Sequence, residues 1–401
     1  MPSGAELYAS FQKYRVGAYL NRTALAVMVI SILFSSALAT SPTSSVENSW
    51  TTKASMLTSR TGAGAAAVNG IIYVMGGSQR YNVTGAGFSY MSINSTEAYD
   101  SVTDTWFDKA PMPTSRDGLG VAVFQGKIYC FGGRNVSKDY SISTNVNEVY
   151  DTETDSWAIK TPMPIARSGL QASEVNGKIF LIGGRTEMKS SSIAETSAQV
   201  DIYDPVTDTW DIGSPIPTAV AGYASAVLDG KIYVISGVAR GSNRTNLTQI
   251  YDPKTDEWSL GAPIPMSVTA AAADATTGIK AAKAIYVIGG SNATYSLSGQ
   301  YTNQVYFPEF NSWSMAASMP VDKAGSAVAV VNDTLYVMGG GHNIFTMDSK
   351  TVMQYTPLIS SIVEMEPFSA IPVGLTTFVI VAVAVVSILL YFKHKRSNVQ
   401  S

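Results

Sequence analysis

Cysteine occurs once in the 401 residues, histidine twice, and charged side chains make up only 14% of the chain. A single Cys130 excludes an intramolecular disulfide, so any fold must rest on its core, and within Tyr129-Cys130-Phe131 the thiol reads as a small buried hydrophobe. His394 stands in a basic C-terminal stretch, which leaves His342 alone. One histidine supports no Ser-His-Asp arrangement. No Gly-x-Ser-x-Gly elbow occurs, and no Cys, His or carboxylate cluster has metal-ligand spacing. No cofactor and no metal are therefore expected. A net charge of -3 also argues against nucleic acid, whose binding needs a basic surface.

What the chain does have is a repeat. Its six tryptophans, Trp50, Trp106, Trp157, Trp210, Trp258 and Trp313, are 56, 51, 53, 48 and 55 residues apart, the period of a propeller or solenoid whose units cannot bury an apolar face alone. Each unit carries a strand-like apolar run ending in a glycine pair: Gly76-Gly77, Gly132-Gly133, Gly183-Gly184, Gly289-Gly290 and Gly339-Gly340, with Ser236-Gly237 in the remaining slot. A Tyr-Asp step follows at Tyr99-Asp100, Tyr150-Asp151, Tyr203-Asp204 and Tyr251-Asp252, whereas Tyr306 and Tyr355 keep only the aromatic. After the tryptophan come Pro111-Met112-Pro113, Pro162-Met163-Pro164, Pro215-Ile216-Pro217, Pro263-Ile264-Pro265 and Met319-Pro320. This pattern resembles the kelch repeat over about residues 46–358.

The residues explain themselves without that resemblance. Runs such as Ile71 to Met75, Lys127 to Phe131 and Lys231 to Ile235 are too short for helices and rich in β-branched and aromatic side chains, which predicts buried strands. Asn69-Gly70, Asn176-Gly177 and Asp229-Gly230 supply the positive φ angles of two-residue hairpin turns. The segments before those turns, Gly62 to Ala67, Gly222 to Ala226 and Ala270 to Ala273, hold the small side chains that innermost strands need where they converge. The last unit lacks a tryptophan, and the orphan Trp50 precedes the first. The expectation is an all-β, six-bladed propeller over 46–358, closed by pairing one N-terminal strand with the C-terminal three.

Targeting signals flank the repeat. Lys13, Arg15 and Arg22 precede an apolar stretch from Ala24 to Leu38, and Ala37-Leu38-Ala39 fits small-residue cleavage, so 1–39 reads as a signal peptide or signal anchor and 40–45 as a short linker. Residues 371–392 carry no charge and are long enough for one transmembrane helix after a stalk at 359–370. Lys393-His394-Lys395-Arg396 then holds the tail 393–401 in the cytoplasm and leaves the propeller outside the cell membrane. Asn82, Asn94, Asn135, Asn243, Asn246, Asn292 and Asn332 open glycosylation triplets, in keeping with an exported glycoprotein. This plan resembles membrane-anchored, archaeal-type surface proteins.

Some kelch-type propellers are enzymes, and the resemblance brings two to mind. The copper radical oxidases need histidine ligands and a cysteine-tyrosine crosslink that this chain cannot supply. A metal-independent, mutarotase-like sugar enzyme stays open, as does a structural role in a surface layer. The main expectation is a non-enzymatic recognition or adhesion module that binds an extracellular protein, peptide or anionic glycan through the loop face. Residues after the Pro-x-Pro turn and after the glycine pair share that face. It therefore gathers Arg60, Arg116 and Arg167 from the first set and Arg134 and Arg185 from the second, all in the first three units, with Lys323 and His342 as the nearest substitutes in the sixth. The kelch pattern also implies bracing between blades for Arg60, Arg116 and Arg167. Glu174 is the other oddity, since Ala67, Val123, Val227 and Val330 hold its place elsewhere; it is expected toward the opposite face.

Overall fold

The computed structural model describes residues 47–83, 87–138, 141–186, 195–240, 243–292, 299–342 and 348–358, with the side chains of 82–88 left aside. The expected signal segment 1–39, linker 40–45, stalk 359–370, transmembrane helix 371–392 and tail 393–401 lie outside the described residues. Among the described residues no helix is long and apolar enough to cross a membrane.

Six four-stranded antiparallel sheets form the blades of a propeller. Their innermost strands are Gly64–Val68, Gly120–Phe124, Gln171–Val175, Ala224–Leu228, Ala272–Thr276 and Ala324–Val331. The sixth blade takes its outermost strand, Ser49–Lys53, from the N-terminal side of the first blade and pairs it with Val352–Thr356, Trp50 standing opposite Tyr355. Expected and observed closure agree.

The core is not central. It is divided into six wedges, each filled by buried side chains from two neighbouring blades. Met75 and Tyr73 of blade one meet Ile128 and Tyr150 of blade two, for example, and Val337 and Tyr355 of blade six meet Tyr286 and Ile288 of blade five. Each fully buried aliphatic side chain contributes about 1.5–3 kcal/mol, so blades are stable only as neighbours.

A second device stitches the blades at their outer ends. Tyr99 donates its hydroxyl hydrogen to Asp104 Oδ1 at 2.6 Å, the same oxygen accepts the Ala54 amide at 2.9 Å, and Trp106 Nε1 returns a bond to the Ala54 carbonyl at 2.8 Å. The arrangement recurs around the ring. At the closure it is built from both ends of the domain: Tyr355 and the Ala317 amide both donate to Asn48 Oδ1 at 2.8 Å, and Trp50 donates to the Ala317 carbonyl at 2.7 Å. The acceptor two residues before each tryptophan is Asp104, Asp155, Asp208, Asp256, Asn311 or Asn48, all at positive φ.

At the axis the backbone closes a smaller circle. Gly118 N donates to Gly62 O, Gly169 to Gly118, Gly222 to Gly169, Ala270 to Gly222, Gly325 to Ala270 and Gly62 to Gly325, each at 2.8 Å. The glycine pairs sit where strands two end. A Cβ on Gly132 would lie 2.5 Å from the Arg167 carbonyl of the next blade, which explains why that slot excludes side chains in five units of six. Ser236 occupies the sixth, at φ 59°, its hydroxyl bonded to the Thr245 and Val268 carbonyls.

Candidate functional site

The residue two positions before each axial glycine, or before Ala270 in blade five, points into its own blade. In the first three blades it is an arginine. Arg60 pairs with Glu97, Arg116 with Glu148 at 2.8 Å, and Arg167 with Asp201, every guanidinium fully buried and every acid on the third strand. Arg116 Nη1 also reaches the Gly132 and Val146 carbonyls at 2.9 and 3.1 Å, while the buried Nε atoms of Arg116 and Arg167 have no partner among the described residues. Burial pushes the pKa of Arg60 and of Arg167 down, and the paired acids oppose that push. These three arginines were candidates for ligand binding; the structure removes them from that set, because no solvent-facing donor is left.

Blades four and five solve the same position without charge. Val220 and Val268 replace arginine, while Gln249 and Gln304 replace the acid and bond the Thr218 and Met266 backbones at 2.8–3.0 Å. In blade six Lys323 is buried, Met353 stands at the acid position, and the ammonium donates to Ser349 Oγ at 2.8 Å. Burial lowers its pKa to about 8.

The set after the glycine pairs is placed differently. Blades one to three each raise a hairpin there: Ser78–Val83 with Gly87–Ser92, Arg134–Val136 with Ser141–Ser143, and Arg185–Thr186 with Glu195–Thr196. Ser92 joins the first two, donating to the Arg134 carbonyl at 3.1 Å and accepting from the Val136 amide at 2.9 Å. Arg134 and Arg185 begin adjacent hairpins and lie against Asp117 and Ser168 through single β-bridges. Arg134, 48% exposed, makes a two-pronged pair with the nearly buried Asp117, at 3.2 Å for each prong. Arg185 is exposed, has no carboxylate in pairing range among the described residues, and is bonded through its backbone to Ser168, whose hydroxyl meets that of Ser143 at 3.1 Å. Burial of its stem and the charge of Arg134 both lower the Arg185 pKa. Of the two guanidinium groups, Asp117 pairs with Arg134 alone.

His342 pairs with Asp322 on the far side of the ring. Glu174 lines the central cavity and accepts the Gly177 amide at 2.7 Å. Of the glycosylation candidates, Asn243, Asn246, Asn292 and Asn332 are exposed and Asn135 is half-buried on its hairpin. Asn94 differs, because its Nδ2 is spent on the Met112 carbonyl at 2.9 Å. The side chain of Asn82 lies outside the described set. Sequence reasoning did not single out Arg240, which faces Glu195 of the blade-three hairpin at 3.8 Å with both groups exposed. Its loop position after Ser236-Gly237, the slot that matches the glycine pairs, was the available signal.

Residues 118–341 match the KLHDC2/KLHL20/DRC7 Kelch-repeats domain, and residues 59–113 match the Kelch motif. Beta-scruin of Limulus polyphemus is 26% identical over 67% of this chain and 29% of its own length. Kelch-like protein terF of Aspergillus terreus is 26% identical over 69% of this chain and 60% of its own, and human Kelch-like protein 15 is 27% identical over 71% and 40%. The chain therefore spans less than two thirds of each of these relatives, from 29% to 60%. The solved structure of YjhT shares the fold, with a TM-score of 0.61, 18% identity and coverage of 75% of this chain and 96% of that one. With the repeat model covering more than half of its length, the chain belongs to the kelch-repeat family.

Proposed function

We propose that this kelch propeller is a recognition module that engages a protein or peptide partner through the hairpin face of blades one to three, and that it is displayed outside the cell on a single C-terminal span. Kelch domains serve broadly in protein interaction, and kelch-like relatives match most of the propeller. The observation that carries the reading is the imbalance at Arg134 and Arg185. Asp117 neutralises one guanidinium and leaves the other without a carboxylate among the described residues, so a carboxylate on a partner gains the fork of Arg185 together with Arg134 Nη1, which Asp117 does not engage, each charge-assisted bond worth about 1.5–3 kcal/mol. Display outside the cell rests on the two apolar segments and the basic tail.

A labelled hexaglutamate peptide, which does not cross membranes, tests both halves of the proposal on intact expressing cells. Cells carrying the parent chain bind it; the Arg134→Ala, Arg185→Ala variant binds at least about tenfold more weakly. Equal binding by the variant places recognition elsewhere on the ring. Binding seen only after permeabilisation inverts the topology.

A further inference from the structure

Inside the ring of innermost strands lies a cavity of about 220 Å³. Its wall is two-sided. Blades one and two contribute Ala63, Gly64, Ala65, Leu119 and Val121, whereas blades three to six contribute Gln171, Ser173, Glu174, Ser225, Asp274 and Ser326 among alanines and valines. Among the described residues no lysine or arginine lines it.

Two of those polar groups break the repeat at one position. The residue two before the end of the innermost strand is Ala66, Ala122, Ala226 and Ala329 in four blades, each buried; blades three and five carry Ser173 and Asp274 instead. Ser173 is only 7% exposed, and its hydroxyl has no hydrogen-bond partner among the described residues. An alanine would have sufficed for the fold, and the serine instead lines the cavity. Asp274 accepts amides from Ala275, at 2.8 Å, and from Val330, yet among the described residues no cation pairs with it, and burial pushes its pKa up to about 6. Glu174, one residue beyond Ser173, adds a second carboxylate to the same side.

We infer that the central cavity binds a small primary amine, its ammonium held by Asp274, Glu174 and the Ser173 hydroxyl, and its aliphatic part lying against Ala63, Ala65, Leu119 and Val121. A metal ion fits the site less well, because among the described residues no group of three His, Cys, Asp or Glu side chains converges. The volume is below that of pockets for drug-sized ligands, about 300–1,000 Å³, which limits the guest to a short chain. The site is separate from the hairpin face, so the two readings stand or fall independently.

Calorimetric titration of the detergent-solubilised full chain with n-butylamine tests it, with n-butanol as the neutral isostere and calcium as the metal. The amine binds, n-butanol binds at least about tenfold more weakly, and calcium gives no heat of binding. Asp274→Asn weakens the amine at least about tenfold. Ser173→Ala, which restores the residue of four other blades and so keeps the fold, weakens it severalfold. Amine binding that is absent, matched by butanol, replaced by calcium or indifferent to Asp274→Asn and Ser173→Ala overturns the assignment.

Discussion

Blades one to three and blades four to six share a backbone plan but not a chemistry. The first half buries three arginine-carboxylate pairs; the second fills the same positions with Val220 and Gln249, Val268 and Gln304, and Lys323 and Met353. Because the valine-glutamine blades keep the same turn and the same carbonyl bond from the preceding glycine, charge at this position is not required for the fold. Within a blade the two positions change together. That coupling is expected when removing one member of a buried pair costs far more than replacing both.

Glu148→Ala is expected to show the largest effect, about 3–5 kcal/mol of lost stability in chemical denaturation, since it strands the fully buried Arg116. A loss below about 1 kcal/mol would show that the carbonyls of Gly132, Val146 and Cys130 hold the guanidinium by themselves. Lys323→Met comes next and has the opposite sign. The folded pKa of Lys323 is about 8, below its ordinary 10.5, so the native state disfavours the proton; stability is full above the unfolded pKa and is lost as pH falls through the folded one. The variant should therefore be more stable than the parent at pH 7 by on the order of 1–3 kcal/mol, with the gain vanishing above about pH 10. A gain independent of pH would instead indicate better packing. The smallest effect belongs to the paired exchange Arg116→Val with Glu148→Gln, which rewrites blade two as blade four. Its melting curve should stay within about 1 kcal/mol of the parent, and a larger loss would mean that the two halves differ in more than this pair.

Much of the fold was legible in the sequence. Six tryptophans, the glycine pairs and the Asn-Gly or Asp-Gly turns fix blade number and strand order, and the orphan Trp50 identifies the closing strand. The Asp or Asn two residues before each tryptophan was equally regular, but its role was hidden, because it joins a tyrosine five residues back to an amide of the neighbouring blade. The site was harder to read. Arg60, Arg116 and Arg134 all belong to one face, and only the positions of their carboxylates separate them: Glu97 and Glu148 lie more than thirty residues ahead and inside the sheet, whereas Asp117 lies at the surface end. The matching of arginine with acid and valine with glutamine across repeats was the readable clue. Glu174 was visible as an exception, but Asp274 belongs to a different strand position two blades on, and only the closure of the ring places both on the wall of one cavity.

The axial circle of peptide bonds has an electrical consequence. Six amide dipoles set head to tail, Gly62 through Gly118, Gly169, Gly222 and Ala270 to Gly325, run tangentially and return to their start. Unlike a helix, whose aligned dipoles leave a positive and a negative pole, such a loop has neither. The rim of the channel therefore adds no axial field of its own, and discrimination between cations and anions at the two ends of the molecule falls entirely to side chains: guanidinium groups on the hairpins outside, carboxylates within.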